Sequence, residues 1–541
     1  MKAGWATFRN DQVRKGVRFL LYLIGTWFRF QVSRQVRTYR RNQEALAQTY
    51  GVTAETPIHP WGPYMQKRIE EFAEKTPGTR FAYTSGSTAQ PKKIAFPLSR
   101  LQTLRKGSLS VASRMMLANR VDRMGMFILA SLKEDDSLTS LILGDQGAGS
   151  PYLVGLLMPG KYLRDKCIRE LTKKYGATAV RFWMMTLSDP GIVYSTNPST
   201  LAQFLISLTE EWPIHSQLIR DFTQKPDLFP PDVIRVAKRI VGNGWEERLP
   251  LISEASECPP MDILFPGLRK YCCWDGGYVR PFLEQIRAFL KPERVQLIPM
   301  YSMSTESVET LNVFDGENIH FLPIAPRVLY EFLPEGQEDL PENLLTAWKI
   351  QPGKTYAMVL SDPYGLQRYQ TEDLFLCKGT WKGLPDLHFM RRRGLAFSFT
   401  GEKLTGEQIM EAYETLREEF PTLADIHLTC IPSRPENEKV PFYRLVVAHP
   451  GNQIPKDLDR EKIGSRFDQL LGTINDEFAT KRESGRLGRT RVHILPYDLL
   501  ATHLDAKTTN PGDVQQRAWD SQFKLLPLYR KLWEDLGLPT D

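Results

Sequence analysis

The segment with the clearest chemistry runs Phe81-Ala-Tyr-Thr-Ser-Gly-Ser-Thr-Ala-Gln-Pro-Lys92-Lys93. A short apolar run leads into five small or hydroxylated residues, Thr84, Ser85, Gly86, Ser87 and Thr88, then proline and two lysines. Small residues let a backbone approach a ligand closely, and hydroxyls with available N–H groups make a concavity that binds anions. A lysine just beyond such a turn can neutralise a phosphate. The order is not that of the G-x-x-x-x-G-K-[ST] phosphate loop, which the sequence lacks. Two more stretches carry polar groups after apolar runs, Met300-Tyr-Ser-Met-Ser-Thr-Glu306 and Gly365-Leu-Gln-Arg-Tyr-Gln-Thr-Glu-Asp373. Taken singly, a Thr-Glu pair at a strand end is common, and an aspartate there often serves a structural salt bridge.

In order and spacing these stretches resemble the adenylate-forming enzymes, whose phosphate loop reads Thr-Ser-Gly-Ser/Thr-Thr-Gly-x-Pro-Lys. Ala89 stands here where that family has glycine. The 365–373 stretch is similar to the Gly-Leu-Tyr-Arg-Tyr-x-x-Gly-Asp of one branch, the acyl acid amido synthetases. These conjugate plant hormones such as auxin and jasmonate to amino acids, and they have bacterial relatives. Glu372 replaces the branch's glycine. Cys273-Trp-Asp-Gly-Gly277, Val328-Leu-Tyr-Glu-Phe-Leu-Pro334 and Phe389-Met-Arg-Arg-Arg resemble the same branch. So do Gly401-Glu-Lys403-Leu-Thr405 and the late Gln522-Phe-Lys524-Leu-Leu-Pro527, and the likeness covers roughly residues 40 to 530.

The resemblance implies ATP and Mg2+ as cofactors, with a carboxylic acid and an amine or amino acid as substrates. A carboxylate attacks the α-phosphorus, pyrophosphate leaves, and the acyl-adenylate passes its acyl group to the amine. Thr84, Ser85, Gly86, Ser87, Thr88 and Ser304 are then expected to hold the nucleotide, Asp373 the ribose, and Arg392 to add a nucleotide contact. Catalysis is expected from Lys92, Thr305, Glu306, Lys403 and Lys524, with Glu306 also holding the metal. The family's adenine-packing tyrosine lies one residue nearer the glutamate than Tyr301 does. Either a bulge restores Tyr301, or Ser302 takes its place. Two alternatives stay open: a ligase that passes the acyl group to a thiol, and an inactive relative that binds acyl groups or membranes.

The elements that must position these residues read as an α/β chain. Up to about residue 390, strands are expected at 126–131, 180–186, 294–301, 327–333, 355–360 and 373–377. Helices are expected at 281–290 and after Asn197-Pro198, a capping residue followed by proline. The last 150 residues form a small α+β unit, with helices at 406–420 and 460–478 and strands at 426–431, 444–449 and 492–495. The expected layout is therefore a large N-terminal adenylate-forming body over 1–391, with mixed sheets and flanking helices, plus a small mobile α+β lid over 392–541. The hinge is placed at the basic run Arg391-Arg392-Arg393-Gly394.

Bulk properties set limits. The chain's 541 residues exceed one ordinary core. A net charge of +7, spread over that length, does not imply nucleic acid. Six cysteines without C-x-x-C spacing, and eight scattered histidines, exclude a zinc site and a secreted disulfide framework and favour the cytoplasm. Residues 19–28 are apolar and flanked by basic residues, within a helical N-terminal segment 1–45. Ten residues cannot span a bilayer. This stretch is either a helix packed on the large domain or an interfacial helix, using residues 14–41, that rests on anionic lipid.

Overall fold

The computed structural model describes residues 3–83, 92–104, 125–129, 141, 155–242, 244–275, 280–300, 304–315, 318–392, 396–423, 427–449, 458–503 and 527–540. Contacts divide the chain into two compact units. One comprises Met1–Thr84 and Lys93–Arg391, the other Ser85–Lys92 and Arg392–Asp541.

The first unit opens with α1 (Ala3–Arg37), α2 (Tyr39–Thr49) and α3 (Pro63–Glu74). Residues 19–28 thus lie inside a 35-residue helix rather than forming one of their own. No described helix is long and apolar enough to cross a membrane. One side of α1 is fastened down. The Asn10 amide donates to the Val241 carbonyl at 2.8 Å, Arg14 donates to that of Ile240 at 3.2 Å, and Leu21 and Val32 are buried. A hairpin, β1 (Arg80–Tyr83) with β2 (Lys93–Phe96), shares a core with Met65 and Ile69 of α3.

Strands β3 (Met126–Ile128), β4 (Ile192–Tyr194), β5 (Lys270–Cys273) and β6 (Gln296–Pro299) form a parallel sheet in that order. Their carboxyl ends therefore lie along one edge, the edge where open α/β sheets bind ligands. Helices Pro198–Glu210 and Arg280–Phe289 bury the apolar faces expected of them. Asn197 caps the first by accepting the Ser199 N–H at 2.9 Å. The strand expected at 180–186 is instead part of helix Ala177–Ser188. Of residues 179–188 only Arg181 is not fully buried, so no polar stripe marks the helical period. A short, largely apolar stretch does not by itself distinguish a buried helix from a strand.

A second hairpin, β7 (Leu311–Phe314) with β8 (Ile319–Leu322), precedes five strands: β9 (Leu329–Pro334), β10 (Leu345–Thr346), β11 (Thr355–Ser361), β12 (Tyr369–Trp381) and β13 (Leu384–Arg392). These pair in the order β10-β9-β11-β12-β13. The basic run read as an exposed hinge begins inside β13, which carries Arg391 and Arg392.

The second unit pairs β14 (Ala396–Phe397) with β15 (Leu404–Thr405) and builds a sheet of β16 (His427–Ser433), β17 (Phe442–His449) and β18 (Arg491–Pro496). Leu428, Leu445 and Val447 pack with helices Gly406–Glu419 and Arg460–Ile474 on one side. Ile431, Val446 and Leu495 pack with Tyr529 and Trp533 in a separate cluster. The single helix expected at 460–478 ends at Ile474. Asn475 breaks it and caps the next by accepting the Phe478 N–H at 2.9 Å.

Burial, reinforced by Arg444, Arg460 and Arg491, pushes the His493 imidazole on β18 down to about 4. An unfolded histidine titrates near ~6.5, so between those values the folded state binds fewer protons. Stability present above ~6.5 is therefore lost as pH falls toward 4. We expect His493→Gln to remove up to ~3 kcal/mol of that acid loss, read by denaturant unfolding at neutral and acid pH. Equal pH sensitivity in both proteins would contradict this.

Candidate active site

The polypeptide leaving the carboxyl end of β6 turns tightly at Ser304–Ser307. The Ser304 N–H donates to the Ser307 carbonyl at 3.0 Å, and the Ser307 N–H donates to Ser304 Oγ at 3.3 Å. The turn sets Thr305 half-buried and Glu306 buried. Tyr369, at the start of β12, donates its hydroxyl to Glu306 Oε1 at 3.2 Å. Residues 63 positions apart, from two of the stretches singled out above, thus meet in one buried hydrogen bond.

Arg100, just after β2, holds the same turn from another direction. It donates to the Glu306 and Ala95 carbonyls and lies 3.4 Å from Asp362, with both side chains buried. The Phe96 and Tyr364 rings lie 4.5 and 4.8 Å from its guanidinium carbon. Asp362 also accepts the N–H groups of Tyr364 at 2.8 Å and Leu366 at 3.2 Å, closing a turn through Gly365. That glycine has φ +116°, and a Cβ there would meet the Ile69 backbone at 3.0 Å, so no larger residue fits. Burial pushes the Asp362 carboxyl up against the pull of Arg100, and burial likewise lowers Arg100 against Asp362. Desolvation outweighs attraction on both sides, so the pair fixes position rather than adding net stability.

Arg368 ties the start of β12 to the rest of its sheet. Its guanidinium grips Glu331 of β9 with two bonds, at 2.9 and 2.7 Å, and also donates to the Thr56 carbonyl. Its N–H donates to Ser361 Oγ at 2.9 Å. Pairing of β11 with β12 then slips between Ala357 and Val359, which leaves a bulge at 371–373. Glu372 sits in that bulge at φ +64°. Left-handed backbone is where glycine is at ease, and this is the position where the resembled branch carries glycine. Asp373 follows, half-buried, with its N–H donating to Thr371 Oγ1 at 3.2 Å.

In the second unit, Glu402 is fully buried. It accepts from the Phe399 and Thr400 N–H groups at 2.8 Å, from Thr400 Oγ1 at 3.1 Å and from the Tyr443 hydroxyl at 2.6 Å. These bonds fix the turn that carries Lys403, half-buried at φ +47°. Lys92 is buried directly before β2. Arg392 closes β13. Thr84, Ser85, Gly86, Ser87, Thr88, Tyr301, Ser302 and Lys524 lie outside the described residues.

Three contributors went unread in the sequence. Tyr369 lay within a quoted stretch, but nothing marked its hydroxyl. Arg100 and Arg368 find their partners 262 and 37 positions away, and no local spacing announces such pairs. Leu201, Phe204 and Leu205 of helix Pro198–Glu210 pack in the main core.

Residues 321–392 match the GH3 family central domain. The solved structure of the GH3.15 acyl acid amido synthetase in complex with 2,4-DB superposes with a TM-score of 0.53, at 12% identity, over 89% of this chain and 93% of that one. The jasmonoyl–L-amino acid synthetase JAR4 of Nicotiana attenuata is 28% identical over 165 residues, covering 28% of this chain and 27% of its own. A Homo sapiens GH3 domain-containing protein is 26% identical over 265 residues, covering 47% of this chain and 49% of its own. The putative indole-3-acetic acid-amido synthetase GH3.10 of Oryza sativa subsp. japonica is 29% identical over 92 residues, covering 17% and 19%. The chain thus spans less than half the length of these curated relatives. Its mixed α/β fold is the one seen in that GH3.15 structure. Over these partial matches the chain is similar to the GH3 acyl acid amido synthetases.

Removing one member of the buried ion pair leaves the other charge uncompensated. Arg100→Ala is expected to cost ~3–5 kcal/mol in denaturant unfolding, and the pair Arg100→Met with Asp362→Asn to recover most of that. A cost below ~1 kcal/mol for the single variant would contradict the assignment. At the bulge, where the backbone is left-handed, Glu372→Gly is expected to keep a higher thermal midpoint than Glu372→Val, since glycine is at ease there and a β-branched residue is not. A glycine variant no more stable than the valine variant would contradict this.

Proposed function

We propose that the chain activates a carboxylic acid with ATP as an acyl-adenylate and transfers the acyl group to an amine or amino acid. The observation that carries this reading is the Tyr369–Glu306 hydrogen bond. It joins the Ser304–Glu306 turn, at the carboxyl edge of the parallel sheet, to the stretch that runs on to Asp373. Adenylation transfers a nucleotidyl group between oxyanions, so it depends on positioned neutralising groups more than on covalent help from the protein. The GH3 central domain, matched over 321–392, favours an amine over a thiol as acceptor.

In this reading Thr305 meets the phosphates and Asp373 holds the ribose hydroxyls, a task that suits a carboxylate's two oxygens. Lys92, Lys403 and Lys524 supply positive charge to the phosphates. Thr84, Ser85, Gly86, Ser87, Thr88 and Ser304 cradle them, Tyr301 or Ser302 lies against adenine, and Arg392 adds a nucleotide contact. A buried carboxylate at Glu306 beside hydroxyls fits Mg2+, which binds through one or two carboxylates plus substrate phosphates. When bound there, the ion would neutralise charge on the phosphates. Tyr369, by donating to Glu306, keeps that carboxylate in one orientation. Residues 1–391 would bind ATP and the acyl group, and 392–541 would form the small lid domain. Six cysteines without C-x-x-C spacing support a reducing compartment, the cytoplasm.

The test is carboxylate-dependent exchange of pyrophosphate into ATP across a panel of acids. Exchange is expected with one acid class and should fall about 100-fold or more in Asp373→Ala and Glu306→Gln. Adding amines should then yield amide and AMP. Folded protein that binds ATP yet exchanges with no acid, or variants with undiminished exchange, would overturn the reading.

A further inference from the structure

Helix α1 buries one face and carries an apolar stripe on the other. Asn10, Arg14, Leu21 and Val32 occupy the face packed on the protein. On the other, Phe19, Leu23, Trp27 and Phe30 recur at spacings of four, four and three residues, the repeat of a single helical stripe. They are 65%, 49%, 56% and 63% exposed, and Phe8 continues the line toward the N-terminus at 62%. At 100° per residue the stripe lies diametrically opposite the packed face. Large side chains exposed contiguously in this way mark a docking surface.

Charge identifies the occupant. Between Ala3 and Thr49 there are nine basic residues and two acidic ones, a surplus of +7. The whole chain is also +7, so the remaining 61 basic and 61 acidic residues cancel. All of the net charge therefore sits on α1 and α2. Arg9, Lys15 and Arg18 precede the apolar stripe, Arg34 and Arg37 follow it, and all five are exposed. Residues 19–30 cover roughly 18 Å of helix, well short of the ~30 Å hydrocarbon core of a bilayer. An apolar stripe with a tryptophan in it, framed by cations, suits a helix lying in the plane of an anionic headgroup layer. A second copy of the chain fits poorly, because it would bring two +7 segments face to face.

We propose that α1 is a membrane-surface anchor that inserts Phe19, Leu23, Trp27 and Phe30 into the boundary of an anionic bilayer. The contact goes beyond the ligase reading and requires no catalysis. It is tested with the full chain by cosedimentation with vesicles of phosphatidylglycerol and phosphatidylcholine, against phosphatidylcholine alone. The wild type is expected to pellet with the anionic vesicles, less so as salt rises. The variant Phe19→Glu/Leu23→Glu/Trp27→Glu, with an unchanged thermal midpoint since its sites face solvent, should lose about tenfold or more of that partition. Arg34→Gln/Arg37→Gln should bind less and with weaker salt dependence. Failure of the wild type to pellet with anionic vesicles, or equal partition by the triple variant, would overturn the proposal. So would a wild-type dimer, seen by light scattering, whose loss is the triple variant's only effect.

Discussion

A guanidinium taken out of water must be answered on several sides at once, and the Arg100 guanidinium dictates the geometry around it. Its terminal nitrogens and planar faces are met by the Ala95 and Glu306 carbonyls, the Asp362 carboxylate and the Phe96 and Tyr364 rings. Those partners come from the β1–β2 hairpin, the turn after β6 and the connection between β11 and β12. Three structures that share no local sequence are thereby held at one point. Glu306 can then meet Tyr369, and Arg368 with Glu331 anchors the far side of the same strand start.

Two expected functional segments contain residues in left-handed backbone, Glu372 beside Asp373 and Lys403 beside Glu402. Neither glutamate nor lysine favours that region. Each persists because its surroundings over-determine it, a strand bulge in one case and the ring of donors on Glu402 in the other. Local propensity gives way here to the need to aim a particular side chain, which is the pattern expected where structure serves chemistry.

What was legible in the sequence follows the same physics. Gly406–Glu419 and Arg280–Phe289 have one apolar face each, and Asn197-Pro198 carries a helix cap, so period and punctuation reveal them. Residues 180–186 are buried on every side except at Arg181 and offer no period to read. The motif stretches at 300–306 and 365–373 were readable because each is contiguous. The bond that joins them, and Arg100, which braces it, were not, since their partners are set by tertiary folding alone. The apolar run at 19–28 showed its composition but not its length, because polar residues such as Asn10 and Arg14 extend α1 by bonding to the protein beneath.

Activation of the acid through an adenylate leaves an isotopic mark that other routes do not. With both carboxylate oxygens of an exchanging acid labelled with oxygen-18, and an amine present, one label should pass to AMP and one should stay in the amide. Labelled AMP with unlabelled pyrophosphate is the predicted result. Unlabelled AMP, or label in inorganic phosphate together with ADP, would contradict acyl-adenylate formation by this chain.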